Sequence, residues 1–180
     1  MEPLKKMKQP LLTNKSKVAE YLQVAIGYNE KEFERFIREA QEFDLKPLLC
    51  EEFFYELISK KEDPEFIKII TGQGYTHDGK IYYHEGLEAV LSYFTYARFI
   101  LKSDAVSSSH GMVTKKNPGS SEPLSHTQRK DLYYTHRQDA NTLFESVVKY
   151  MERKNINYKD CQDCNDAPTG GDIVTRAPQW

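Results

Sequence analysis

Two long stretches with a helical spacing of apolar residues are separated by about twenty polar residues, from Asp104 to Leu124. The flanking stretches run over 86–102 and 125–154. A compact domain seldom keeps so long an insert without an apolar cluster of its own unless the insert binds something. The sequence therefore predicts a helix pair with a projecting arm that lacks secondary structure of its own, and it places function in that arm.

The N-terminal half predicts several shorter helices. Thr13 or Asn14 can cap the first helix, which is expected to end near Gly27, and Asn29 can cap the second. The second helix has the clearest amphipathic pattern, with apolar residues at three-and-four spacing. These residues, all expected in the core, are Phe33, Phe36, Ile37, Ala40 and Phe43.

Further start and turn signals follow along the chain. Pro47 and the pair Asp63-Pro64 mark the beginnings of a third and a fourth helix. Two short runs, Tyr75–His77 and Ile81–Tyr83, then flank Asp78-Gly79-Lys80. Aspartate and glycine tolerate the positive backbone angles of a tight turn, so this segment predicts a small β-hairpin.

Together these patterns predict a mainly α fold: a small helical bundle with a short β-hairpin and a long projecting arm between the last two long helices. The helix over 86–102 is apolar around most of its circumference and is expected at the centre. Ser125 can cap the last helix, which is expected to end at Asn155. The helical domain spans 11–155 with the arm at 104–124, an N-terminal arm occupies 1–10, and a loose C-terminal extension occupies 156–180.

The chain carries no membrane signal. No run approaches the roughly 20 apolar residues that cross a bilayer, and Lys5, Lys6 and Lys8 precede no signal-peptide core. A protein made in the cytoplasm, without a membrane partner, is therefore expected.

The three cysteines predict neither a disulfide framework nor a complete metal site. Cys50 stands beside Leu48 and Leu49 and is expected to be a small core residue. Cys161 and Cys164 form one CxxC in a polar tail, whereas a structural zinc ion needs four ligands. No metal and no cofactor are predicted, although this pair could be completed by neighbouring subunits or be oxidised.

No catalytic residue is predicted. The run Gly72-Gln73-Gly74 lacks the lysine and hydroxyl residue of a phosphate-binding loop. Ser107–Ser109 and His110 are too close in sequence to adopt attack geometry without a positioned acid and oxyanion donors. His136 lies on the apolar stripe of the last helix, where a histidine indicates a core or subunit-interface position.

The net charge of −2 does not suit a protein that coats nucleic acid, but a local basic band is present. Between His110 and Arg137 five positive side chains face two negative ones. Such a band can line a path for DNA through sequence-independent attraction to phosphate, or it can be an ordinary lysine-bearing loop. The candidates for a DNA channel are Lys115, Lys116, Arg129 and Lys130.

The order of these landmarks resembles the head-to-tail connector proteins of tailed bacteriophages, also called adaptor or head-completion ring proteins, particularly those of Bacteroides and crAss-like phages. The resemblance covers roughly residues 11–155. The segments that carry it are Leu11–Thr13 leading into Val18–Leu22, the charged helix Phe33–Phe43, Gly86–Arg98, the loop His110–Lys116, and Val148–Lys154.

The resemblance implies a non-enzymatic structural protein at the neck of a virion, made in the cytoplasm of the host bacterium. It implies a dodecameric ring that binds the phage portal protein and further ring or tail proteins, and that contacts DNA transiently along the conduit. It also implies that the loop reaches a neighbouring subunit, with Val113, Thr114, Lys115 and Lys116 at the contact and His136 a further interface candidate. The Tyr75–Tyr83 hairpin and the cysteine-bearing tail depart from the simplest members.

Two other functions remain open at this stage. The basic band also suits a small DNA-associated packaging or regulatory protein, which would bind free duplex in a salt-sensitive way. A metal-dependent enzyme built on the cysteines and histidines would contain bound metal when purified.

Overall fold

The structure, a computed structural model, describes residues 9–103 and 124–159 and the backbone of two strands between them. Within these residues the fold is mainly helical, which confirms the predicted class. The six α-helices are α1 (Lys15–Tyr21), α2 (Glu30–Ala40), α3 (Glu51–Ser59), α4 (Pro64–Thr71), α5 (Gly86–Lys102) and α6 (His126–Arg153). The four strands are β1 (Gln73–His77), β2 (Lys80–His84), β3 (Ala105–Ser108) and β4 (Gly111–Thr114). A π-helical turn (Gln41–Leu45) and a 3₁₀ turn (Lys46–Leu48) join α2 to α3.

Most of the predicted helix starts are confirmed, but the one at Pro47 is wrong, because Pro47 lies in the 3₁₀ turn and α3 begins at Glu51. The side chains of Asn14, Asn29 and Asp63 each accept a hydrogen bond from a backbone amide in the first turn that follows. Ser125 and Gln128 exchange hydrogen bonds in a capping box at the start of α6. These caps satisfy amides that a helix start otherwise leaves unpaired, so short polar side chains fix the helix boundaries.

The first helix is shorter than predicted. It ends at Tyr21 and not near Gly27, because Leu22 has an extended backbone. The chain then turns back, and the Nζ atom of Lys15 donates to the carbonyl oxygens of Ile26 at 2.6 Å and Tyr28 at 2.7 Å.

The π-helical turn changes which face of the chain is buried. Its hydrogen bonds span one residue more than those of an α-helix, so the side chains after Ala40 are rotated relative to the α-helical pattern. Phe43, expected in the core, is 66% exposed, and that prediction is wrong. Gln41, Asp44 and Leu45 are buried instead.

Helix α5 is the centre of the bundle, as predicted. Leu87, Val90, Leu91 and Phe94 are almost completely buried. The helix contacts α1, α2, α4 and α6. Because apolar residues cover most of its circumference, α5 can contact neighbours on several sides at once.

The predicted hairpin is confirmed in β1 and β2. The strands pair antiparallel, with Tyr75 opposite Tyr82, and the two-residue turn places Asp78 and Gly79 at positive φ. The chain enters and leaves this hairpin at Gly72 and Gly86, whose backbones lie in close contact. Both glycines have positive φ, and a Cβ atom on either would collide with the backbone around the other. Only glycine fits such a crossing.

Within the part of the chain that the structure describes, none of the helices combines the length and apolar character needed to span a bilayer.

Candidate subunit interface

The arm, residues 104–124, contains a β-hairpin of its own. Strands β3 and β4 pair antiparallel, with Ala105 opposite Thr114 and Ser108 opposite Gly111. The prediction that the arm lacks secondary structure is therefore wrong. Its strands have few of the large β-branched and aromatic residues that mark a strand in sequence.

The arm hairpin forms a separate two-stranded sheet. Among the described residues it is not joined to the β1–β2 hairpin, and each of its strands has a neighbour on one side only. A two-stranded sheet is marginally stable by itself, and an open strand edge can accept a further strand. Val113 and Thr114 lie in β4, next to such an edge, while Lys115 and Lys116 lie outside the described residues.

The two hairpins lie at opposite ends of the α5–α6 pair. The arm joins the C-terminal end of α5 to the N-terminal end of α6. The β1–β2 hairpin packs at the other end, where Tyr75 contacts Tyr150 and Arg153 lies 3.8 Å above the ring of Tyr82. Helix α5 has 17 residues, which corresponds to roughly 25 Å between its ends.

A buried ion-pair network lies beside the C-terminal part of α5. The carboxylate of Asp44, whose side chain is 1% exposed, accepts hydrogen bonds from Arg98 Nε at 2.5 Å and Arg98 Nη2 at 3.0 Å. It also accepts a hydrogen bond from Arg137 on α6. Glu39 accepts from Lys102, the last residue of α5, at 2.5 Å. The network thus ties the π-helical turn and α2 to the C-terminal end of α5, from which the arm leaves, and to α6 eleven residues after that helix begins.

This network uses one charge of the predicted basic band. Arg137 is bound to Asp44, and its guanidinium also lies 5.4 Å from the ring centres of Phe94 and Tyr133. Arg137 is therefore engaged inside the protein. Of the DNA-channel candidates, Lys130 is exposed on the first turns of α6 and Arg129 is half-buried.

His136 is half-buried between α6 and α5. Its ring meets Tyr96 edge-on with 5.0 Å between the ring centres, and its Nδ1 atom lies 3.8 Å from a carboxylate oxygen of Asp139. Burial lowers the pKa of His136, although the nearby Asp139 opposes this shift. The predicted position on the core side of α6 is thus observed, and a role at a subunit interface stays a prediction.

His84 is a buried polar residue that the sequence does not reveal. It ends β2, is 5% exposed, and stacks on Tyr150 with 4.3 Å between the ring centres. Neither ring nitrogen has a hydrogen-bond partner among the described residues. Burial lowers the pKa of His84, since the charged imidazolium would lose its hydration.

The cysteine prediction needs a correction. Cys50 is buried as expected, but it is also disulfide-bonded. Cys161 and Cys164 lie outside the described residues.

The chain that follows α6 packs against the start of α3. The Cys50 amide donates to the carbonyl oxygen of Tyr158 at 2.7 Å, and Tyr158 is buried. The extension is therefore packed as far as Tyr158, and the expectation of a loose chain directly after Asn155 is wrong.

A cleft of about 650 Å³ lies beside α3 and the start of α4, and several of its polar groups have structural roles. Ser59 donates to the carbonyl oxygen of Glu56, Lys60 pairs with the Glu56 carboxylate, and Asp63 caps α4. Across the described residues, no group of three or more histidine, cysteine, aspartate or glutamate side chains is placed to hold a metal ion.

Fold and site together define a mainly helical protein whose two longest helices carry separate hairpins at opposite ends. The chain belongs to the DUF6712 family, a family of unknown function whose model matches residues 45–170. This match covers both hairpins and the two long helices. No curated protein and no solved structure matches the chain.

Proposed function

We propose that this protein is a non-enzymatic structural subunit of a tailed-phage virion. It forms an oligomeric ring between portal and tail, at the neck of the particle, and this ring is part of the DNA conduit. Its partners are further copies of itself, the portal protein, and additional ring or tail proteins, with transient non-specific contact to DNA. The observation that carries the proposal is the arm hairpin, a two-stranded sheet with open outer edges inserted between the two longest helices.

The open edges favour completion by another chain. Strand addition to a neighbouring copy supplies the backbone hydrogen bonds that an isolated hairpin lacks. A ring built by head-to-tail contacts uses two different patches on each subunit and closes by rotation. An arm that projects from one end of a helix pair suits one of these patches.

The ion-pair network supports the proposal because it holds in place the end of α5 from which the arm leaves. Arg98 lies on α5 and Arg137 on α6, and both are bound to the buried Asp44 carboxylate. A contact segment that leaves a fixed base loses less conformational entropy on binding than one that leaves a loose base.

Deletion of Ser107–Ser121 tests the function of the arm. We expect the shortened protein to keep the helical circular dichroism of the full chain and to remain monomeric, while the full chain forms rings with its portal in electron micrographs. A second variant, in which the same residues are replaced by a glycine–serine linker of equal length, separates the need for strands from the need for length. If the shortened protein assembles with the portal like the full chain, the arm assignment is wrong.

The alternative is a small DNA-associated packaging or regulatory protein, which the exposed Lys130 favours. Fluorescence anisotropy with free duplex at low and physiological salt distinguishes the two functions. Binding that weakens steeply with salt, in a chain that stays monomeric, would support the alternative.

A further inference from the structure

The outer face of the β1–β2 hairpin is exposed and apolar. Side chains alternate between the two sides of a strand, and the buried Tyr75 and His84 define the inner side. The opposite side, which we name the receiving face, consists of Gly74, Thr76, Ile81 and Tyr83. Ile81 is 67% exposed and Tyr83 is 75% exposed.

We propose that the receiving face binds the arm hairpin of a neighbouring copy of this chain, an inference that rests on the proposed function. Single exposed apolar residues are common on proteins, but the solvent face of an antiparallel sheet is ordinarily polar. Here two large apolar side chains stand next to each other, and the ring of Tyr83 lies over the backbone of Gly74. The receiving face is thus a continuous, largely apolar surface next to an unpaired strand edge.

The arm and the receiving face match in chemistry. No charged residue occurs in β3 or β4, and none occurs among the four residues of the receiving face, although 29% of the chain is charged. Docking therefore removes no charged side chain of these segments from water, which would be costly. The strands also match in length, since β1 has five residues and β4 has four.

The distances favour binding between copies over binding within one copy. Helix α5 ends at Lys102 and β3 ends at Ser108, so the six residues of 103–108 extend at most roughly 20 Å from that end. The β1–β2 hairpin begins at the far end of α5, roughly 25 Å away. The arm hairpin is therefore too short to reach its own receiving face.

Such a contact joins one end of a subunit to the other end of the next. It is a heterologous contact, of the kind that generates rings when the rotation between neighbours closes. The arm and the receiving face are then the two patches that head-to-tail assembly needs.

Ile81→Lys tests the receiving face. Ile26→Lys is the matched control, because Ile26 is 95% exposed and lies in the segment between α1 and α2. We expect both variants to keep the melting temperature of the wild type. We expect Ile81→Lys to raise the protein concentration needed for ring formation by about tenfold or more in mass photometry, and Ile26→Lys to leave it unchanged.

Mixing two defective variants gives a sharper result. The Ile81→Lys protein keeps its arm, and the protein lacking Ser107–Ser121 keeps its receiving face. At the concentration at which the wild type forms rings, we expect neither variant to assemble alone, and we expect the mixture to form a heterodimer that stops at two chains. Because each heterodimer contains one intact contact, its formation identifies which two surfaces meet.

The possible outcomes separate this inference from the proposed function. Rings of Ile81→Lys that form at the wild-type concentration, or an equimolar mixture that stays monomeric, would overturn the receiving face while arm-dependent assembly stands. A wild-type chain that never assembles with itself or with a portal would overturn the proposed function.

Discussion

The Asp44 carboxylate joins two helices that the sequence keeps far apart. It accepts hydrogen bonds from Arg98, 54 positions later, and from Arg137, 93 positions later. Asp44 lies four residues after the buried Ala40, on the side of the chain that faces the other helices. Its carboxylate therefore ties both long helices to the segment that follows α2.

Asp44→Asn should destabilise the protein by about 3 kcal/mol, because removing one partner of a buried ion pair leaves the other uncompensated. Urea unfolding measures this loss. The control is Glu20→Gln, which breaks the pair between Glu20 and Lys17, whose side chains are 57% and 44% exposed. An exposed pair contributes little, so the control should leave the free energy of unfolding nearly unchanged. An equal decrease in the free energy of unfolding for the two variants would show that the Asp44 ion pairs are not buried.

A series of glycine-to-alanine variants tests the crossing of Gly72 and Gly86. Gly86→Ala combines a positive φ with a collision against the Gly72 and Ile70 backbone, and should cost roughly 3 kcal/mol. Gly79→Ala has the positive φ but open space, and should cost about 1 kcal/mol. Gly27→Ala has neither and should be neutral or slightly stabilising. Thermal unfolding ranks the three, and any other order contradicts the crossing.

Stability should fall as the pH drops below the ordinary histidine pKa of about 6.5, in part through His84. Burial lowers the folded-state pKa of His84, so below that pH the unfolded chain takes up a proton that the folded chain resists. The contribution is fully present above the unfolded pKa and is lost as the pH falls toward the folded one. Each such histidine accounts for at most about 1.4 kcal/mol per pH unit.

His84→Phe keeps a ring against Tyr150 and removes the titrating group. Urea unfolding between pH 5 and pH 7.5 should show a smaller pH dependence for this variant than for the wild type. Ile81→Ala, on the exposed side of the same strand, should leave the pH dependence as it is. An unchanged slope in His84→Phe would mean that protonating this histidine costs the folded state nothing.

Local chemistry made much of the fold predictable. Asn14, Asn29 and Ser125 cap helices through contacts within three residues, and the Asp78-Gly79 turn depends on its own backbone. These signals are present in the sequence because both partners lie in one short window. The fold class and most element positions follow from them.

The parts that the sequence did not reveal depend on distant partners. Asp44 is buried against two arginines from other helices, and the burial of His84 depends on Tyr150. The position of the arm was predicted, because a long polar insert can be recognised from one continuous segment of sequence. Its hairpin was not predicted. The disulfide at Cys50 was missed because the spacing of cysteines gives no distance in space.

Two phenylalanines test the π-helical turn directly. In a continuous α-helix Phe36 and Phe43 would share one buried face, whereas the structure buries Phe36 and leaves Phe43 66% exposed. Phe36→Ala should cost roughly 3–5 kcal/mol, the value for a large side chain removed from a core. Phe43→Ala should cost about 0.5–1 kcal/mol, because it loses little beyond the contact with Arg98, whose guanidinium lies 5.4 Å from the ring centre. Equal losses in chemical denaturation would show that Phe43 is buried like Phe36 and would contradict the π-helical turn.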